Sequence, residues 1–230
     1  METVLITGAN RGIGLGFAKR YADRGCRVIA TCRHPSDARD LQSLAQEHDD
    51  FSVEKLDMLS DDDIVSLAAA LSKGSIELDW VISNAGILRN EAFGDWTRQG
   101  FSDTLNTNVT GPALLAQALD PMISKNGKIV QLSSGLGSLD WAGAGMTDAD
   151  SYSVSKAALN MLTVRLALAY QGTNRCVVAM SPGWVTTDMG GSDATLSVEQ
   201  SVSAMTATID SLTAKDTGRF IDNQGNSIPW

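Results

Sequence analysis

The stretch "DSYSVSKAALNML", residues 150–162, sets Tyr152 and Lys156 four positions apart at the start of an apolar-periodic run. On a helix the two stand one turn apart on one face. An ammonium beside a phenol favours the phenolate, so it lowers a tyrosine pKa from its usual value of about 10. Tyr152 would then serve as a proton donor or acceptor near neutral pH. The same spacing arises on any amphipathic helix with a half-buried tyrosine and an exposed lysine, so chemistry needs further residues to act with.

The stretch "ITGANRGIG", residues 6–14, supplies a second set. Gly8, Gly12 and Gly14 fall between an apolar run and a helix-like run, with Asn10, Arg11 and Ile13 filling the turn. Glycine permits positive φ and close approach of backbone to a ligand. The N–H groups and positive dipole end of the following helix suit a pyrophosphate. The spacing is G-x-x-x-G-x-G, whereas the general dinucleotide fingerprint is G-x-G-x-x-G. That fingerprint also has an acid near the end of the second strand, holding a ribose hydroxyl. Here the region reads Ala30, Thr31, Cys32, Arg33. An arginine with no acid suits a 2′-phosphate, so NADP(H) is the expected cofactor and NAD(H) stays open. Arg11 would add a second positive charge.

The elements that must position these residues alternate along the chain. Strands are predicted at 3–7, 26–32, 51–57, 78–86, 127–134 and 174–183, with a short last one around 218–222. Helices are predicted at 15–25, 35–48, 60–73, 151–170 and 197–212; residues 97–124 read as mostly helical, interrupted around "NVTGP". Alternation of this kind implies a parallel sheet covered on both faces. The fold class is therefore α/β: a single doubly wound Rossmann domain over residues 1–230, with a mostly parallel seven-stranded sheet between helices.

Composition narrows the partners. A formal charge of −9 argues against nucleic acid or an anionic membrane surface. The apolar runs fall short of a membrane span, and "METVLITGAN" starts on a strand-like run with no secretory leader expected. Cys26, Cys32 and Cys176 are scattered, and His34 and His48 are the two histidines, so neither a metal site nor a histidine triad is expected. A reduced, cytoplasmic setting follows.

Seven motifs, in order, resemble the short-chain dehydrogenases/reductases over nearly the whole chain. They are "TGANRGIG", Asp57 with Met58 in "LDM", "NAG" (Asn84, Ala85, Gly86), Asn108 in "NVTG", Ser134 in "LSSG", Tyr152 with Lys156, and "SPGWVTTDM" (181–189). The resemblance implies that Asp57 meets the adenine amino group and that Asn84, Ala85 and Gly86 lie against the cofactor. Pro182, Gly183, Val185 and Thr187 would meet the nicotinamide. Asn108, Ser134, Tyr152 and Lys156 would be the catalytic set: Tyr152 the general acid/base, Ser134 the hydroxyl that orients the carbonyl oxygen, Lys156 the ribose-binding ammonium, Asn108 the anchor of a water leading to solvent. Within the family, "VIATCR", "ALNML", "PGWVTTDMGG" and "GNSIPW" are most similar to the branch of C-factor and the sniffer-like carbonyl reductases.

One departure stands out. Ser134 lies eighteen positions before Tyr152, about five more than is usual in the family. The insertion should bulge at the C-terminal edge of the sheet, where ligand sites form. Ser138 is nearer the usual spacing, but Ser134 directly follows a strand and is the preferred choice. Ser133 should face the other side of that strand. Trp141 and Met146 in the insertion, with Trp184, are expected to wall a pocket shared with Ser134 and Tyr152 for compact apolar carbonyls or alcohols. The alternatives are Trp141 at a subunit contact and Trp184 in the core. The resemblance further suggests a homodimer through helices 97–124 and 151–170. A nucleotide-binding signalling protein with incidental turnover is the competing reading.

Overall fold

The computed structural model of the protein describes residues 1–142 and 148–230. The Met146 expectation lies outside the described residues. Strands β1 (Thr3–Ile6), β2 (Arg27–Cys32), β3 (Phe51–Lys55), β4 (Leu78–Ser83), β5 (Ile123–Leu132), β6 (Cys176–Met180) and β7 (Phe220–Ile221) form one sheet in the order β3-β2-β1-β4-β5-β6-β7. Every pairing is parallel.

Alternate residues of each strand enter different cores, as the pleat requires. Val4, Ile6, Val28, Ala30, Val130 and Val178 pack with helices α1 (Gly12–Asp23), α2 (Arg39–Glu47) and α7 (Val198–Ser211) through Phe17, Leu41 and Met205. Leu5, Ile29, Ile129 and Val177 face the other way, toward α3 (Asp61–Lys73) and α5 (Gly111–Leu119), through Ile64, Leu67, Leu115 and Leu119. Burial on both faces is why these strands read as continuous apolar runs. Helix α4 (Arg98–Leu105) precedes α5, and α6 (Asp150–Ala169) leads into β6.

The predicted elements are present, with several boundaries shifted: β4 ends at Ser83 and β6 spans only Cys176–Met180, while α1 starts at Gly12 and α2 at Arg39. β5 begins at Ile123, not 127, and its pairing with β4 skips register between Leu78 and Trp80, a bulge that lets the extra residues join the sheet. β7 is only two residues long. The strand order reverses between β1 and β4, so the loops after these strands open the crevice where α/β sheets bind ligands.

Close packing at the β1–α1 turn depends on Gly14. A Cβ there would lie 2.3 Å from the Gly8 carbonyl oxygen and 2.6 Å from Asn84 Nδ2. Gly14→Ala is expected to lower stability by about 1–3 kcal/mol through overpacking, measured by urea unfolding; unchanged stability would mean the turn gives way freely.

Candidate active site

Helix α1 starts with no side-chain cap and no acid in its first turn. By contrast α3, α4 and α7 are capped by Ser60, Thr97 and Ser197, and α3 carries three acids at its start. The α1 N–H groups and dipole end are therefore left for an external anion. Gly8 and Gly12 adopt φ of +63° and +53°, open to glycine at little cost. A Cβ on Gly8 would come within 3.0 Å of the Ala85 backbone. Thr7 Oγ1 accepts the N–H groups of Asn84 (3.0 Å) and Ala85 (2.9 Å), and Asn84 Nδ2 donates to the carbonyls of Thr7 (2.8 Å) and Gly8 (3.1 Å). The loops after β1 and β4 are thus laced into one floor, and this glycine cradle fits a dinucleotide pyrophosphate.

The other cofactor-side residues divide. Asn10 is exposed and Ile13 is half-buried against the α1 core. Arg33 stands exposed just past β2, with no ion pair or hydrogen bond to another described side chain. Arg11 is instead paired with Asp188, across the cleft mouth. One oxygen of Asp57 accepts the Leu59 N–H at 3.0 Å. The Met58 side chain is a core residue pressed on Gly111, so only its backbone faces any ligand role. Pro182 accepts a hydrogen bond from Ser201 Oγ at 2.7 Å, Gly183 turns the chain with φ of +80°, and Val185 is buried in a bridge to Leu196. Thr187 closes on the glycine turn, its Cγ2 3.4 Å from where a Gly12 Cβ would stand.

The proposed catalytic four converge. Tyr152 and Lys156 are buried on one face of α6. Lys156 Nζ donates to the Leu132 carbonyl at 2.7 Å, which ties α6 to the end of β5. The Ser134 hydroxyl stands near enough to the Tyr152 phenol to favour its ionised form, and it accepts the Leu136 N–H at 3.2 Å. Ser138 is committed elsewhere, donating to the Pro229 carbonyl at 2.7 Å. Asn108 lies in a π-helical turn, Asn106–Thr110, with its side chain bonded to both Ile87 backbone groups and to Ser155 Oγ. Pro112, four residues on, has no N–H for the Asn108 carbonyl, which accounts for the break in the helix. A Cβ on Gly86 would lie 3.2 Å from Asn108 Oδ1 and 3.7 Å from Lys156 Nζ, so the β4 loop, Asn108 and the lysine meet there.

The tyrosine's electrostatics run opposite to the expectation. Burial pushes the Tyr152 phenol up to about 12, against the smaller opposing effect of the Ser134 hydroxyl. Lys156 does not offset the burial: its Nζ sits 5.4 Å from the ring centroid and donates to the Leu132 carbonyl. Burial also pushes Lys156 itself down to about 8.

Outside this cluster, Ser133 faces α6, donating to Asn160 Oδ1 at 2.6 Å. Trp141 and Trp184 are 44% and 51% exposed, which rules out a core role for Trp184. The Trp141 ring lies over Gly135, and Trp184 Nε1 donates to the Gly190 carbonyl at 2.7 Å. Sequence reasoning missed Thr7, Asp188 and Asn160. The position of Asn160, a second four-residue step beyond Tyr152, is the one signal that pointed to it. Among the described residues no acid, histidine and cysteine group could hold a metal, and no helix is long and apolar enough to cross a membrane.

The family model described as short chain dehydrogenase matches residues 2–196. The NADPH-bound carbonyl reductase from chicken fatty liver superposes with a TM-score of 0.93 at 35% identity, covering 100% of this chain and 99% of that one. The carbonyl reductase Sniffer of D. melanogaster gives a TM-score of 0.94 at 32% identity, with 100% of both chains covered. The C-signal protein of Myxococcus xanthus is 36% identical over 158 residues, 66% of this chain and 93% of its own length.

The buried lysine makes stability depend on pH. Unfolded, the lysine titrates near 10.5; folded, near 8. Between these values the unfolded chain holds the extra proton, so stability rises as pH climbs from 8 toward 10.5. Lys156→Met removes this term, and urea unfolding of both proteins at pH 7 and pH 10 reads the difference. The variant's advantage at pH 7 should shrink by roughly 3 kcal/mol at pH 10; a constant gap would contradict the burial cost.

Proposed function

The chain belongs to the short-chain dehydrogenase family and is an oxidoreductase, and we propose that it is an NADP(H)-dependent carbonyl reductase using Tyr152 as general acid/base. The observation that carries this reading is the pairing of buried Tyr152 and Lys156 on one face of α6, with Lys156 tied to the strand end that leads to Ser134. A bound nicotinamide would supply the hydride. Tyr152, kept protonated through neutral pH by its burial, gives its proton to the carbonyl oxygen. Ser134 donates a hydrogen bond to the same oxygen as its charge grows. Lys156 holds the ribose hydroxyls, and the Asn108 carbonyl, lacking its helical donor, receives the water that returns protons to the site. In the reverse direction Tyr152 takes the proton of an alcohol.

The substrate is a compact apolar or aromatic carbonyl, walled by Trp141 and Trp184. Two exposed aromatic rings at the mouth support this part of the reading. A homodimer is supported by Val154, Met161 and Leu168, spaced seven apart on α6 and 47%, 61% and 53% exposed. Three buried free cysteines suit a reducing, cytoplasmic setting. The similarity to C-signal favours a second reading, a nucleotide-binding signalling protein. That protein would bind NADPH yet reduce nothing.

Tyr152→Phe is expected to cut turnover on a carbonyl panel by about 10²–10⁴-fold while NADPH binding stays near wild type. Near-normal turnover would place the proton donor elsewhere, and wild-type binding without turnover would favour the signalling reading. Arg33 is the residue proposed for the 2′-phosphate. A charge-assisted bond of this kind is worth about 1.5–3 kcal/mol, so Arg33→Ala should lower the NADPH-over-NADH binding preference roughly ten- to a hundredfold. Calorimetric titration with both cofactors reads it; an unchanged preference would remove Arg33 from that role.

A further inference from the structure

Asn160 extends the line of Tyr152 and Lys156 by one more turn of α6 and is buried, yet the proposed proton and hydride chemistry has no use for it. Its side chain makes two bonds. Oδ1 accepts from Ser133 Oγ at 2.6 Å, and Nδ2 donates to the Gly137 carbonyl at 3.1 Å. A carbonyl only accepts, so the Gly137 bond fixes which end of the amide is nitrogen. The two partners bracket Ser134 in the chain. Between them the backbone closes a tight turn in which the Gly137 N–H donates to the Ser134 carbonyl at 2.9 Å. That turn lies directly on α6: a Cβ on Gly137 would stand 2.8 Å from the Lys156 carbonyl carbon.

We propose that Asn160 is a positioning residue that fixes Ser134 in register with Tyr152, by holding the chain on both sides of the serine to the helix that carries the tyrosine. Its amide touches neither substrate nor cofactor and acts through Ser134. Lys156 ties down Leu132, and Asn160 ties down Ser133 and Gly137, so one helix face secures the strand end and the turn after it. Far sites matter here because a misplacement of about 1 Å at reacting atoms costs up to about 10²-fold in rate. The role rests on the reductase reading for its catalytic meaning, although its geometry does not.

The test is a double-mutant cycle with Ser134→Ala, assayed on a carbonyl panel with NADPH. Asn160→Ala is expected to lower kcat roughly tenfold or more with the NADPH dissociation constant unchanged. In the Ser134→Ala background it should cost nothing further, because the residue through which it acts is already gone. Equal losses in both backgrounds would overturn the proposal, since a purely structural role does not depend on Ser134. Ser133→Ala, a mild change that keeps the fold, should repeat the pattern at smaller amplitude. Crystal structures of Ser133→Ala and Asn160→Ala give a readout independent of turnover. A Ser134 hydroxyl displaced from Tyr152 in either supports the proposal, and an unmoved Ser134 in both refutes it. A wild-type protein that reduces no carbonyl would sink the reductase reading alone, and the crystallographic comparison would still decide the role of Asn160.

Discussion

The site hangs on one costly placement, a lysine ammonium buried at the end of β5. Lys156 is 4% exposed and, among the described residues, donates to one acceptor, the Leu132 carbonyl. Burying a charge with so little compensation is unfavourable, and the lowered lysine pKa records it. What the fold obtains is a fixed distance between helix and sheet. With α6 drawn onto β5, Gly137 can lie on the helix backbone, Ser134 can reach Tyr152, and Gly86 can approach Asn108. The Gly137 contact leaves no room for a larger residue, and the approach at Gly86 is tight.

The π-helical turn at Asn106–Thr110 is the second departure from regular structure, and it serves the same region. Pro112 deprives the Asn108 carbonyl of its usual donor, while the Asn108 side chain is spent on Ile87 and Ser155. The side chain therefore does architectural work, fastening the β4 loop and α6 to this turn. Irregular turns of this kind inside helices are frequent at functional sites. Here the irregularity has a covalent cause in the proline ring.

Much of this was legible in the sequence. Strand–helix alternation is a local signal, and it placed all seven strands, most clearly the inner ones, which are buried on both faces and read as apolar runs. The residues that gather at the site were legible too, since Tyr152 and Lys156 share a helix face and Ser134 ends a strand. What escaped depends on three-dimensional aim. Burial at the assembled site, not the neighbouring ammonium, decides the tyrosine pKa, and Lys156 itself is held by a carbonyl 24 residues away. Arg11 pairs with Asp188, 177 residues distant, a contact that no local pattern encodes. The early start of β5 escaped because a bulge, which breaks the pairing period, carries the first residues into the sheet.

The lacing of the nucleotide cradle has a temporal consequence. Its floor joins Thr7 and Gly8 to Asn84 and Ala85, and its far lip is Thr187 and Asp188. A ribosome releases the glycine turn long before the segment that closes over it. During synthesis the segment that supplies the far lip leaves the ribosome well after the floor, since chains emerge N-terminus first. Nucleotide capture thus becomes a late event in the life of the nascent chain. Any ligand that grips both lips would act as a sensor of completed folding, rewarding only chains whose last third has docked.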